Sequence, residues 1–580
     1  MNADKISYTV PRPEHPRPDF ERADWLNLNG EWMFEIDNGN SGEERGLAAS
    51  DSLSGKILVP FCPESSLSGV ENKDFMNAVW YKRKFSIPTE WNDKRVILHF
   101  EACDYHTTVF VNGAVAGKHT GGYTPFSFDI TDLLSADGGD NVLTVRAWDN
   151  TRSPAVSSGK QSERFGSWGC FYTRTTGIWQ TVWLEAVDPS HIVRFEYTCD
   201  TESPALYIKA ALSESGVGCR FAAEAFYKGR SVGKTSVSAC GRSIVAMLPL
   251  SERHLWECGK GELYDIVMTL EDENTGKRYD CVKGYFGLRS VALKDGKFLL
   301  NGKSVFQRLV LDQGFYPDGI YTAPDDAALV NDIEQSMALG FNGARLHEKV
   351  FEARFIYHCD RLGYMVWGES PDGMLDFDTE ESASAIICQM TEEILRDINH
   401  PSIVGWCSLN ELWSHRKYDK ERINRVTAAV RALDPSRLLI DCSGGIHADL
   451  GDIWDIHCYT QDPAEFRKQC FGDAIYERFP DDQKYDGKPL FMSEYGGIAW
   501  AEDKSGWGYG IAPASIEEYY SRYEGLTGAL LDDPRYFGFC YTQLYDVEQE
   551  QNGLMTYDRR HKFDVKRIHG YNTKKAAIEE

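Results

Sequence analysis

No stretch of the 580 residues is apolar over the roughly 18 positions that a membrane-spanning helix needs. The amino-terminal stretch, residues 1–20, has no apolar core of the signal-peptide kind, so the expected location is the cytoplasm. The 15 cysteines are scattered, with no CxxC pair and no Cys/His ligand spacing. That argues against a disulfide framework and a structural zinc site, and for reduced, mostly buried thiols. Positive charge is scarce: 62 Lys and Arg face 88 Asp and Glu, for a net charge of −26. Such a chain repels nucleic acid and anionic membranes, and neither is expected as a partner. There is no repeat of about 20–50 residues, no low-complexity tract, and no phosphate-binding glycine loop or metal-ligand cluster. Neither a cofactor nor a metal is expected.

Aromatic residues, at 13% of the chain, are abundant. Most of them serve cores, but their faces also stack on the apolar faces of sugar rings. The first third alternates apolar and polar residues in short segments, with Asn112-Gly113 as a hairpin turn signal. It reads as a β-sandwich over residues 1–187. Residues 188–290 alternate again at the spacing of a small immunoglobulin-like sandwich. From residue 291 to 580 strand-like and helix-like runs take turns. Eight strands are expected at 305–311, 342–347, 365–368, 403–409, 438–442, 453–459, 490–493 and 536–544. Helices are expected at 325–339, 352–362, 381–398, 420–433 and 516–530, with the fifth and sixth of the series poorly marked. This alternation predicts a carboxy-terminal (β/α)8 TIM barrel.

A barrel of this type carries its chemistry at the carboxy-terminal ends of its strands. Two carboxylates stand out on that criterion: Glu411 after the fourth strand, in Gly405-Trp-Cys-Ser-Leu-Asn-Glu411, and Glu494 at the end of the seventh, in Pro489-Leu-Phe-Met-Ser-Glu494. Glu369 satisfies the same positional rule. Strands four and seven face each other across the mouth, an arrangement that suits glycoside hydrolysis. There one carboxyl protonates the leaving oxygen, while the other attacks the anomeric carbon or activates a water.

The chain resembles glycoside hydrolase family 2, the β-galactosidase and β-glucuronidase family, over nearly its whole length. The resemblance lies in Leu28-Asn-Gly-Glu-Trp-Met-Phe, Trp80-Tyr-Lys-Arg-Lys-Phe, Val109-Phe-Val-Asn-Gly, Gly177-Ile-Trp-Gln-Thr-Val-Trp-Leu and Tyr285-Phe-Gly-Leu-Arg289. In the barrel, His400-Pro-Ser-Ile-Val-Gly-Trp-Cys-Ser-Leu-Asn-Glu411 matches the acid/base motif, and Ser493-Glu494-Tyr-Gly matches the nucleophile motif. The resemblance implies a jelly-roll sugar-binding-like sandwich, an immunoglobulin-like sandwich and a catalytic barrel. It also implies retaining exo-action on a carbohydrate or glycoside, with Glu494 as nucleophile and Glu411 as acid/base. Glu411 is expected to have a raised pKa, lying beside the charge of Glu494.

Further substrate-binding candidates are Asn410, for the sugar 2-hydroxyl; Arg345, to keep Glu494 ionised; and His347, His457 and Tyr459, at strand ends. Trp500 and Trp507 are expected as an aromatic wall, with Tyr541, Gln543 and Arg174 as weaker candidates. Self-association into a homo-oligomer stays open.

The sequence departs from the family pattern where the sugar is read. Family glucuronidases carry an Asn-x-Lys motif at the position of Glu550-Gln551-Asn552, and an acidic residue there disfavours a uronate. Lys349 is the nearest candidate for a substitute cation. Phe171 stands where family β-galactosidases have an Asp, and Arg345-Leu-His347 shortens the family's Arg-x-x-His. Galactose is the first expectation. The alternatives are a pentose or furanoside (an α-L-arabinoside or β-galactofuranoside), a glucuronide, transglycosylation, or a sugar-binding protein without turnover.

Overall fold

The computed structural model describes residues 10–135, 138–412, 420–471, 475, 485–501 and 506–579. Two antiparallel sheets form the first unit. One contains Trp25–Asn27, Val182–Val187, Arg95–Phe100 and Phe126–Asp129; the other has six strands, with Ala78–Phe85 and Asn141–Trp148 at its centre. Along Arg95–Phe100 every second residue is buried, so one face of this sheet closes on its partner through Leu98, Val109, Val145 and Leu184. The Asn112-Gly113 turn joins His106–Val111 to Ala114–Thr120, with both residues at positive φ, as a two-residue hairpin requires. The next seven strands, from Ile192–Asp200 to Arg278–Phe286, form sheets of three and four strands around Phe221, Ile208 and Ile266.

The third unit is an eight-stranded parallel sheet curled into a barrel. Its strands are Gln307–Asp312, Gly343–Leu346, Met365–Glu369, Ile403–Cys407, Leu438–Ile440, Trp454–Cys458, Leu490–Gly496 and Tyr536–Thr542. Ladder hydrogen bonds run from the fifth strand through the first to the sixth, so only the seam between the fifth and sixth strands is unpaired among the described residues. The first, third and seventh strands are buried along their whole length. That is why their sequences read as continuous rather than alternating apolar runs.

Helices Asp326–Ala338, Ala353–Leu362, Glu380–Asp397, Lys420–Leu433, Pro463–Phe471, Ile516–Leu531 and Val565–Asn572 surround the sheet. No helix follows the fifth strand. The connection is a short loop in which Asp441 accepts hydrogen bonds from His447 Nδ1 at 2.8 Å and from the Ala448 amide. A helical period was faint there because the loop is held by side chains instead.

Candidate active site

The second, fourth and seventh strands bring Arg345, Asn410, Glu411 and Glu494 to one end of the barrel. Arg345 is fully buried and organises the cluster. Its Nη1 donates to Glu494 Oε1 at 2.6 Å, its Nη2 to Asn410 Oδ1 at 2.7 Å, and its Nε and Nη2 together grip Glu369. One guanidinium thereby fixes three partners in the planar fork that arginine provides. Tyr459 donates its hydroxyl hydrogen to the other oxygen of Glu494. His457 lies between the two expected catalytic carboxylates, with Nδ1 2.7 Å from Glu411 Oε1 and Nε2 3.4 Å from Glu494 Oε1. One oxygen of each carboxylate and a ring nitrogen of His457 all lie within 4.8 Å of one another. Gly444 makes room for this imidazole: a Cβ there would come 2.2 Å from the ring, and its φ of +64° is one that L-residues avoid.

The electrostatics differ between the carboxylates. Burial opposes the ionisation of Glu494, but the charges of His457 and Arg345 outweigh it and lower its pKa. Burial also favours the neutral form of Glu411, yet the hydrogen bond and charge of His457, with Lys160 and Arg345 beyond, hold it at about 2. The raised pKa expected for Glu411 is therefore corrected: in the empty site its cationic neighbours prevail over the charge of Glu494. Glu369 is shifted upward by burial, against the pull of Arg345. Glu411 and Glu348 both hold left-handed backbone, at φ of 49° and 44°, a conformation that costs a non-glycine residue about 1 kcal/mol or more.

The amino-terminal sandwich supplies one side of the mouth. Lys160 Nζ lies 3.3 Å from Glu348 Oε1, which also accepts from Asn410 Nδ2 at 2.9 Å. Tyr172 donates to Glu550 Oε2 at 2.6 Å, Asn552 donates to Glu550 Oε1 at 3.0 Å, and Gln543 donates to Asn552 at 2.9 Å. Trp507 donates its indole hydrogen to the Gly169 carbonyl at 2.7 Å.

Residues 291–570 match the model of the glycosyl hydrolases family 2 TIM barrel domain, and residues 65–184 that of the family 2 sugar binding domain. The chain belongs to glycoside hydrolase family 2. It is 25% identical to a β-galactosidase of Thermoanaerobacter pseudethanolicus, over 72% of this chain and 57% of the relative. It is 26% identical to a putative β-glucuronidase of Formosa agariphila, over 71% and 50%. The chain thus spans about half the length of these two. Against the β-glucuronidase of Rattus norvegicus the identity is 25%, over 81% and 77%. In fold it resembles the crystal structure of Ruminococcus gnavus β-glucuronidase, with a TM-score of 0.79 at 19% identity, over 97% of this chain and 100% of that one.

Other residues singled out in this family 2 chain lie elsewhere. Arg174 spends its guanidinium on the carbonyls of Ser162, Arg164 and Lys73 and stacks on Phe75, so it braces sandwich loops. Trp500 packs edge-on to Tyr519 and against Phe563 in the helical layer, and Tyr541 turns away from the mouth to Tyr519. Gln543 supports Glu550 through Asn552 rather than facing the cluster directly. His347 stands behind the cluster, 3.0 Å from Glu369. The suspect cation Lys349 donates to the carbonyls of Gly314 and Tyr321 and sits among Tyr321, Phe351 and Trp179. Burial lowers it to about 7, and it does not line the mouth. Sequence reasoning missed Lys160, and also Tyr509, which stacks on Tyr459 with ring centroids 3.4 Å apart. Nothing in their local sequence marks either one.

Proposed function

We propose that this family 2 chain hydrolyses the glycosidic bond of a terminal, non-reducing, uncharged sugar with retention, using Glu494 as nucleophile and Glu411 as acid/base. The observation that carries this is the approach of the two carboxylates, with an oxygen of each within 4.8 Å of the other. Carboxyl groups about 5–5.5 Å apart suit double displacement, and a wider gap is needed to admit water for inversion. Arg345 and Tyr459 keep Glu494 anionic and aimed for attack on the anomeric carbon. The Glu494–carbon bond forms as the bond to the leaving oxygen breaks and Glu411 gives that oxygen its proton. Glu411 then takes a proton from the water that releases the sugar.

The pKa of Glu411 is low in the empty site. A bound sugar excludes water from it, which adds to the effect of burial and favours its neutral, proton-donating form. Asn410 retains an amide hydrogen for the 2-hydroxyl, because only one is engaged by Glu348.

Glu550, buried where its charge acts on that of Glu494, supports an uncharged sugar, with a β-galactoside as the first substrate to test. The relatives named β-glucuronidase support a glucuronide as the second. An aryl-glycoside panel followed by proton NMR tests both parts. The first-formed sugar should keep the anomeric configuration of the substrate, and early appearance of the opposite anomer would overturn the retaining mechanism. Failure to hydrolyse any panel member would leave a sugar-binding protein as the better reading.

A further inference from the structure

We propose that Lys160, carried into the barrel mouth by the amino-terminal sandwich, is a specificity-determining residue that, paired with Glu348, reads a hydroxyl of the uncharged terminal sugar. The inference rests on the glycosidase reading above and names a residue that decides its substrate.

Lys160 is fixed rather than draped. Next to it, the Gly159 amide donates to the Pro371 carbonyl at 3.1 Å and Ser157 Oγ to the same carbonyl at 2.7 Å, while the Tyr172 amide donates to the Lys160 carbonyl at 2.8 Å. Gly159 lies so close to the barrel that a Cβ would come 2.3 Å from the Glu348 carbonyl oxygen. The loop is thus anchored to the barrel just before the lysine and to the sandwich at the lysine itself.

Its ammonium has work left to do. Lys160 is 7% exposed, so its charge is largely removed from water. An ammonium carries three N–H donors, yet the ion pair with Glu348 is its one polar contact among the described residues. A buried cation with donors to spare is costly unless something completes it. Of the Glu348 oxygens, Oε1 faces the ammonium, whereas Oε2 is buried against Gly373. Glu348 also holds Asn410, next to Glu411, so the pair adjoins the reacting groups. Against the effect of burial, Cys170 first and then the charges of Glu348, Glu411 and Glu494 raise the pKa of Lys160.

A hydroxyl suits this position, accepting from a spare ammonium hydrogen and donating to Glu348 Oε1, the oxygen beside it. A sugar carboxylate fits worse. The ammonium is already paired, and Glu348, Glu411, Glu494 and Glu550 surround the position with like charge. The sandwich therefore contributes specificity by a cation that the barrel sequence does not contain.

The test uses the full chain, Lys160→Met and the length-conserving Lys160→Gln, on the best aryl glycoside and its monodeoxy analogues. Wild type should lose at least about tenfold in kcat/KM on one analogue, because the pair is left unsatisfied. In Lys160→Met that discrimination should shrink to about threefold or less, with kcat/KM on the parent reduced about 10- to 100-fold. A merely structural lysine would lower activity on all analogues alike, and unchanged discrimination in both variants overturns the proposal. A wild-type preference for the aryl glucuronide that disappears in Lys160→Met also overturns it, in favour of carboxylate reading. Calorimetric binding of the parent sugar and its deoxy forms to wild type and variants makes the same comparison without turnover. Loss of the hydrolase reading is thereby told apart from loss of this one.

Discussion

The imidazole of His457 hydrogen-bonds Glu411 at 2.7 Å in the empty site. The pKa of the group expected to give up a proton is thus held low, with His457 as the first of the neighbours that lower it. Glu411 must be protonated to act, so kcat/KM falls as pH rises through its free-enzyme pKa. His457→Phe removes the interactions that lower that pKa, leaving burial to raise it. The alkaline limb of the kcat/KM profile should move up by about one unit or more. A limb that stays in place in this variant would show that His457 does not control Glu411.

Glu494→Gln keeps a group for Arg345 and Tyr459 to hold but cannot form the glycosyl intermediate. Turnover of every substrate should fall at least about a thousandfold, with thermal stability near that of wild type because Arg345 retains Glu369. Residual activity above a few per cent, free of contaminating enzyme, would falsify the nucleophile assignment.

Removing the proton donor affects substrates according to how much they need one. Glu411→Ala should slow glycosides with poor leaving groups by about 100-fold or more, and activated aryl glycosides far less in the glycosylation step. Equal losses across a leaving-group series would remove Glu411 from the acid role.

Discrimination against a uronate should follow the charge of Glu550. Repulsion between two unit charges about 4 Å apart is worth roughly 1–4 kcal/mol, which predicts at least about a tenfold preference for an aryl β-galactoside over the matched β-glucuronide. Burial shifts the Glu550 pKa upward, so the penalty is smaller where it is protonated and grows as pH rises and it ionises. Combining Glu550→Asn with Asn552→Lys should recover part of any glucuronidase activity. The measurement is kcat/KM for both substrates across pH, and a preference for the glucuronide throughout would refute the uncharged-sugar reading.

Local sequence carried the barrel and its two carboxylates because periodicity and short motifs are properties of neighbouring residues. Eight strand-like runs between helical ones specify a parallel barrel, and strand ends in such a barrel specify the mouth. Strand-end position alone offered Glu369 as well as Glu411 and Glu494, and the neighbouring residues with the family motifs singled out the last two; Arg345 was a candidate on the second strand. The helix signal was equally faint after the fifth and sixth strands, where the structure has a loop and the helix Pro463–Phe471 respectively. Tertiary structure decided the rest, because it depends on side-chain direction and on chain segments far apart in sequence. Trp500 and Tyr541 lie near mouth-forming segments, but their rings face the helical layer. Arg174 lies in a motif stretch, yet its guanidinium is consumed by loop carbonyls. Lys160 and Glu348 are 188 positions apart and meet only when the sandwich docks. The lowered pKa of Glu411 was likewise beyond the sequence: against the effect of burial, the hydrogen bond and charge of His457 and the charges of Lys160 and Arg345 produce it, and these neighbours meet only once the chain has folded.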